Sequence, residues 1–404
     1  MKNEVSKNSF DLAIIGGGIA GAGIARDAAL RGLKTVLFEK NSFGSGTSSK
    51  SSKLIHGGIR YLETAWTELK KGHALEAWKN FRFVFTSLRE SKNLRKIAPE
   101  LVRPLALLIP VLKNDKRGLW EIYLGGWLYF FLSLLSGPVK LPKILWNKNE
   151  VQKILPSMGL QEVKAGVVIR DYWTHDRELV KRIMFSAMRH GAAAFENAEV
   201  TSYSFDPESG HYEIRTRQNE SEQVYHSKKL VNAGGPWVDQ IRGRGNEKMD
   251  DFIVPVAGSH IVFKKFIPHS VILQAKDGRP FFVINIGKYS RVGTTERVCK
   301  EPDAVEPTEA EIEYLLKSLK NYFPALNLGR AQIIGRDAGI RPLARPKDEK
   351  SAHTISREHE IRIGPTGVIH VLGVKLTDHR RAAEKVVDLV SKKKCVTQKT
   401  PLTA

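Results

Sequence analysis

Close to the start of the chain, three glycines and one acid have the types and spacing to hold a phosphorylated nucleoside. Gly16-x-Gly18-x-x-Gly21 lies between an apolar run that begins at Asp11 and a helix-compatible segment from Ile19 to Arg31. A second apolar run, Thr35 to Phe38, ends on Glu39. Strand, tight turn, helix, strand and acid in this order make the βαβ unit that binds dinucleotides. Gly16 permits the turn, Gly18 lets a pyrophosphate approach the backbone, and Gly21 lets the helix lie close on the strand. The first N–H groups of that helix lack partners of their own and carry partial positive charge, which suits an anion. Glu39 stands near the spacing expected for an acid that accepts a hydrogen bond from an adenosine ribose.

Two later stretches have related chemistry. Residues 42–53 are dominated by Ser, Gly and Thr and lead straight into Leu54-Ile-His56-Gly-Gly and an Arg60-Tyr61 pair. Small side chains there would let a flat ligand pass close to backbone. At Leu230-Val-Asn-Ala233-Gly234-Gly235 a second strand-like run enters a glycine turn.

The elements that must position these residues fit a chain of 404 residues, enough for about two to three domains. Hydrophobic residues make up 42% and charged residues 26%, which is the balance of a globular protein and excludes a disordered chain or a multi-span membrane protein. Two cysteines, Cys299 and Cys395, are far apart and outside any metal-ligand spacing, so a disulfide framework is excluded and a reducing cytoplasm is expected. Lys and Arg number 64 against 43 acids, a net charge of +21. Such a field favours a phosphate substrate, a nucleic acid or an anionic membrane face. The polar first ten residues give no sign of a secretory leader.

Residues 67–96 read as one long basic helix, with Leu69, Ala74, Phe81, Phe85 and Leu88 at helical spacing and Pro99 and Pro104 beyond it. Residues 119–136 are the most apolar stretch, interrupted by Glu121 and Gly125-Gly126 and flanked by Lys and Arg. Burial in protein, docking at a membrane interface and a span are all open for it, the first two fitting better. Strands are expected at 166–171, 192–200, 211–217, 252–263, 280–295 and 368–372, and helices at 173–191, 308–322 and 377–390. The polar tail, 392–404, is expected to be loose.

Taken in order, these segments resemble the FAD-dependent glycerol-3-phosphate dehydrogenases, in the flavoprotein group built like D-amino-acid oxidase. The resemblance rests on Gly16-Gly-Gly-Ile-Ala-Gly21, on the run from Thr47 to Glu63, and on Leu230-Val-Asn-Ala-Gly-Gly-Pro-Trp237. Gly258-Ser-His260, Val292-Gly-Thr-Thr295 and Gly339-Ile-Arg341-Pro-Leu match as well. It implies an α/β (α+β) chain, with a discontinuous Rossmann-like FAD-binding domain at 9–95, 166–236 and 335–391. An antiparallel-sheet substrate domain would take 96–165 and 237–334. The form implied is a short one, without the C-terminal helical domain of most members.

The resemblance also implies roles. Gly16, Gly18 and Gly21 would hold the FAD pyrophosphate and Glu39 the ribose. Thr47, Ser48 and Ser52 would lie along the pyrophosphate and isoalloxazine, Ala233 and Gly234 would back the dinucleotide, and Gly373, Lys375, Leu376 and Thr377 would face the flavin pyrimidine. Oxidising sn-glycerol 3-phosphate to dihydroxyacetone phosphate by hydride transfer to flavin N5 needs a proton acceptor and cations for the phosphate. His260, favoured over His56, would accept the proton. Arg341 would lie near the reacting carbon with Lys375 as a further cation, and Arg60 and Arg357 would take the phosphate. Electrons would pass to quinone, on a protein peripheral to the inner face of the cell membrane. The family's last turn reads Gly-Gly-Lys-Leu-Thr-Thr-Tyr-Arg, whereas this chain has Gly373-Val374-Lys375-Leu376-Thr377-Asp378-His379-Arg380. Val374 would be costly if that position needs positive φ or close flavin contact, and Asp378 would add negative charge near the redox centre or the phosphate. The alternative reading is therefore an FAD oxidase or dehydrogenase of another hydroxy acid or amine. A flavin-containing nucleic-acid binder, suggested by charge alone, lacks interleaved aromatic and basic motifs.

Overall fold

The computed structural model describes residues 8–113, 119–134, 141–159, 163–247, 250–299, 302–303, 305–345 and 359–402. Their strands form two sheets. The first runs β17 (Glu360–Ile363), β18 (Ile369–Leu372), β10 (Ser221–Asn232), β1 (Ser9–Ile15), β2 (Thr35–Phe38), β7 (Ala193–Phe195). β8 (Ala198–Asp206) and β9 (His211–Gln218) fold back on β10 as an antiparallel arm. β1 lies parallel to both β10 and β2, and α1 (Ile19–Leu30) is the crossover from β1 to β2.

A parallel strand covered on both faces has no polar side, which is why β1 reads as an unbroken apolar run. Its alternate residues serve two cores. Leu12 and Ile14 pack under α1, together with α6 (Asp176–Arg189) and α9 (His379–Asp388). Ala13 and Ile15 pack against Val200, Tyr203, Tyr212 and Ile214 of the antiparallel arm. α7 (Val238–Arg244) follows the second glycine turn.

The second sheet runs β15 (Arg297–Val298), β11 (Ile253–Lys264), β14 (Tyr289–Gly293), β13 (Pro280–Ile286), β12 (Ser270–Gln274), β4 (Val102–Leu112), β6 (Val163–Thr174), β3 (Leu54–Ile55). β16 (Ile333–Ala344) lies along β11, and β5 (Lys143–Leu145) along β6. One face is buried by α8 (Glu309–Tyr322), whose Ile312, Leu315 and Leu319 meet Ile261, Phe263 and Val292. Thr308 and Glu311 cap α8 reciprocally, satisfying its first N–H groups. Val151 of α5 (Lys148–Ile154) joins the same core. The other face carries Gly258, His260 and Arg341 toward the first sheet, and the cavity lies between.

Three helices roof that cavity: α2 (Ile59–Lys70), α3 (Ala74–Ile97) and α4 (Leu119–Leu134), joined through Leu62, Val84, Leu88, Tyr129 and Leu132. The single helix expected at 67–96 is thus two. Gly72, at φ +81°, closes α2 in the left-handed conformation that only glycine adopts freely. Of the apolar stretch 119–136, residues 119–134 form α4, and no described helix is long and apolar enough to cross a membrane.

One strand, β4, is not expected from the sequence, because Pro104 and Pro110 argue against it. β12 pairs with β4 only at Leu107 and Leu108, so most of that edge of β4 asks for no ladder bond. The boundaries expected at 166 and 335 fall inside β6 and β16, which belong to the second sheet throughout because β4 and β11 pair along their whole lengths. Over its described residues, 392–402, the tail is docked and not loose. The Leu402 N–H donates to the Ile97 carbonyl at 2.7 Å, and the buried Arg26 guanidinium donates to the carbonyls of Thr397 and Thr400. A buried guanidinium that finds its acceptors on the tail keeps the tail in place.

Candidate active site

The glycine turn between β1 and α1 is built for close approach. Gly16 has φ +106°, and a Cβ on it would lie 2.7 Å from the Ala233 carbonyl oxygen. A Cβ on Gly21 would lie 1.9 Å from the Gly16 carbonyl oxygen, so α1 can rest on β1 only with glycine there. Ser48 accepts the first N–H of α1, from Ile19, at 2.9 Å. The Glu39 carboxylate accepts from Gly17 N–H at 2.6 Å and Asn41 N–H at 2.9 Å. Each of its oxygens keeps further lone-pair capacity for a hydroxyl.

From this turn a cavity of about 1620 Å³ runs between the sheets. Gly16, Gly18, Glu39, Thr47, Ser48, Ser52, Ala233 and Gly234 line one end, and His56, His260, Arg341, Gly373, Lys375, Leu376 and Thr377 line the middle. Gly21 lies behind the wall as a packing residue. The Arg60 backbone is in the first turn of α2, its side chain lying outside what is described, as does all of Arg357. A tight glycine turn, a helix N-terminus whose N-cap residue is the bare Gly18, and the Glu39 carboxylate all border one cavity. That arrangement fits a dinucleotide, with a flat ring reaching the middle.

The loop carrying the Ser-rich run is fixed from outside. Thr47 donates to the Ile340 carbonyl at 2.7 Å, joining the loop to β16. Asp176, at the start of α6, accepts from Ser51 Oγ at 2.7 Å and pairs with Lys53 Nζ at 2.5 Å. The His56-Gly57-Gly58 turn is held likewise. The His56 N–H donates to Thr377 Oγ1 at 3.3 Å, and the Gly57 N–H donates to the Tyr129 hydroxyl at 3.0 Å. Tyr129 in turn donates to Asp171 Oδ1 at 2.5 Å. Both side chains are buried. Burial pushes the Asp171 carboxyl up to about 7 against the lowering effect of its hydrogen bonds, and burial beside Asp171 raises the Tyr129 phenol.

His260 is buried at the cavity wall, and neither ring nitrogen has a hydrogen-bond partner among the described residues. Burial, with Arg291 and Arg341 nearby, pushes it down to about 4, so the ring is neutral at ordinary pH. Arg341 donates to Glu296 Oε1 at 2.8 Å, Thr294 Oγ1 at 3.0 Å and the Thr295 carbonyl at 3.2 Å. Lys375 donates to the Tyr61 hydroxyl at 2.9 Å and lies 4.4 Å from the Phe83 ring centroid, a cation held against aromatic faces.

The two departures in the last turn are met differently. Gly373 alone takes the left-handed conformation, at φ +66°. Val374 is not among the residues with positive φ; it packs partly on the apolar core and also lines the cavity. Asp378 is buried against His359 and does not line the cavity. Sequence reasoning missed Tyr129, Asp171, Asp176, Arg291, Glu296 and Asp337. No local motif marks them, because they act across long stretches of chain; Ser51 and Asp176 are 125 positions apart.

Comparison with known proteins agrees with this geometry. Residues 11–377 match the family described as FAD dependent oxidoreductase. A Synechocystis glycerol-3-phosphate dehydrogenase is 35% identical over 96% of this chain and 71% of its own length. A Caenorhabditis elegans protein named "Probable glycerol-3-phosphate dehydrogenase, mitochondrial" is 33% identical, over 96% of this chain but 54% of its own length. The chain thus spans between about half and two thirds or so of such relatives. The glycerol-3-phosphate dehydrogenase of Bacillus halodurans, solved with FAD, superposes with a TM-score of 0.76 at 27% identity, covering 98% of this chain and 68% of that one. The chain belongs to the FAD-dependent oxidoreductase family, among the relatives that include the glycerol-3-phosphate dehydrogenases, and FAD is its cofactor.

Proposed function

We propose that the protein oxidises sn-glycerol 3-phosphate to dihydroxyacetone phosphate and passes the electrons to a membrane quinone. The observation that carries this reading is the shared wall of the cavity beyond the glycine turn. There a neutral buried histidine, His260, stands among the cations Arg341 and Lys375. Bound FAD supplies the two-electron acceptor for the C2 hydride. Arg341 lies near the reacting carbon with Lys375 as a further cation, and Arg60 and Arg357 are assigned to the dianionic phosphate. His260 takes the hydroxyl proton at an imidazole nitrogen, which its depressed pKa keeps unprotonated. His56, held on the turn beside Thr377, is the second candidate for that proton. The Tyr129–Asp171 pair keeps that turn in register.

The quinone part of the reading is supported by the outer surface. The cavity extends to Trp66, Leu124 and Leu128 on α2 and α4. On the same group of helices Leu75, Trp78, Trp120 and Phe131 are exposed, apolar side chains of the kind that dock on lipid. The test is a flavin spectrum before and after anaerobic sn-glycerol 3-phosphate. Bleaching, followed by recolouring with a short-chain quinone and no peroxide, is the expected result. An unbleached flavin overturns the substrate, and peroxide formation in air at the same rate overturns the acceptor.

A further inference from the structure

Neither ring nitrogen of His260 has a hydrogen-bond partner among the described residues, and the strands around it explain how its ring is held. In the register of β11 and β16, His260 stands directly opposite Asp337. On its other side β14 brings Gly293 opposite, and a Cβ on Gly293 would lie 2.4 Å from His260 Cδ2. The ring therefore lies flat in a slot, with a bare glycine on one flank and a carboxylate on the other. Its Nδ1 is 3.7 Å from Asp337 Oδ1, ion-pair distance without a hydrogen bond. Asp337 is itself clamped. Arg291 donates to both of its oxygens at 2.6 Å and to the Ser51 carbonyl at 3.1 Å, with its side chain 6% exposed.

We propose that Asp337, clamped by Arg291, is a positioning residue for His260: it keeps the ring proton on Nδ1, facing the carboxylate, and leaves Nε2 as the acceptor. This rests on the reading of His260 as the proton acceptor. Arg291 is integral to the arrangement. A carboxylate alone beside a buried imidazole would pull the ring toward the charged form, which cannot accept a proton. The bidentate guanidinium offsets that pull, so the carboxylate stays ionised and the imidazole stays neutral. In the reaction the C2–H electron pair leaves as hydride to the bound flavin, and the O–H pair becomes the second carbon–oxygen bond. The proton arrives at Nε2, and the resulting imidazolium then lies against Asp337, the contact tightening as charge develops. The carboxylate is thus used in the charged state and fixes the tautomer in the neutral one.

The test uses the FAD-loaded enzyme in two readouts. The first is the 15N spectrum of the histidine-labelled protein, with the His260 signals identified by their loss in His260→Gln. In the parent the neutral ring is expected to be protonated on Nδ1. In Asp337→Asn, and in Arg291→Met/Asp337→Leu, which removes both charges together, Nε2–H is expected to rise to a comparable share. This readout is independent of the substrate. The second is anaerobic flavin reduction by sn-glycerol 3-phosphate, where both variants are expected to lose at least about thirtyfold in rate with the half-saturating concentration changed less than about threefold, while Asp337→Glu recovers part of the loss. An unchanged tautomer in both variants overturns the proposal. A shifted tautomer with an unchanged reduction rate overturns its catalytic half. A His260→Gln enzyme that reduces flavin normally overturns instead the assignment of His260 as acceptor.

Discussion

At the scale of single residues, the site is governed by how charge is balanced in a low-dielectric wall. Arg341 keeps its fork on Glu296, Thr294 and Thr295 and still lines the cavity, so it can be shared with or transferred to an anionic substrate. Arg341→Ala is expected to lower kcat/KM for sn-glycerol 3-phosphate at least a hundredfold, about 2.7 kcal/mol of transition-state stabilisation. Arg341→Lys should recover only part of it, since a point charge cannot replace two parallel donors. Steady-state rates of both variants decide this. Asp171 makes a second prediction, of opposite character. Its carboxyl is raised by burial from 3.8 to about 7, so the folded protein retains a proton there that the unfolded chain has lost. Its contribution to stability is complete below pH 4 and disappears as pH rises toward 7, by up to about 4 kcal/mol. Asp171→Asn has no such proton to lose. Urea melts of the two proteins should therefore diverge in favour of the variant between pH 4.5 and 7.5. An equal difference at both pH values would show that the carboxyl is already ionised in the fold.

At the scale of elements, the cofactor turn is legible in the sequence because its parts are local. Three glycines, a helix start and an acid fall within one βαβ unit, and each glycine has a separate geometric reason. Gly21→Ala would place a methyl 1.9 Å from the Gly16 carbonyl oxygen and lift α1 from β1. The purified variant is expected to hold less than about a tenth of the parent's FAD, measured by absorbance against protein. Gly125, in α4, has nothing within 4 Å of an added Cβ. Gly125→Ala should therefore stabilise the protein by about 0.5–1 kcal/mol, the helix-propensity difference alone. Other elements are less legible for identifiable reasons. β4 is masked by its own prolines, and the break at Gly72 is invisible in a pattern of apolar spacing that continues across it. The clamp on His260 requires β11, β14 and β16 to lie side by side, and only the assembled sheet reveals that pairing. In the last turn a family pattern misleads: Val374 occupies the place of a glycine whose special backbone is not needed here, and the Asp378 charge is met by His359.

At the scale of the whole molecule, two features point to one surface. On the proposed function, the net charge of +21 would attract the chain to an anionic face from a distance, and the exposed apolar residues of α2, α3 and α4 would supply short-range attraction once there. Trp78 is 61% exposed and Trp120 65%, on helices whose opposite sides are buried together around Leu62, Val84, Leu88, Tyr129 and Leu132. That burial explains why the apolar excess cannot turn inward: the three-helix core is already occupied. Docking there would also bring the part of the cavity lined by Trp66, Leu124 and Leu128 toward lipid, where a quinone would reside. The protein is expected to sediment with vesicles containing about a third anionic lipid at 50 mM salt. Binding should weaken several-fold at 0.5 M, where the Debye length falls to a few ångströms, and should be slight on zwitterionic vesicles. Replacing Leu75, Trp78, Trp120 and Phe131 together by serine should release the protein from the anionic vesicles. Its flavin should still be bleached by anaerobic sn-glycerol 3-phosphate, since none of the four lines the cavity. Retention of the serine variant on the vesicles would mean that charge alone holds the protein there, and the apolar face would then need another partner.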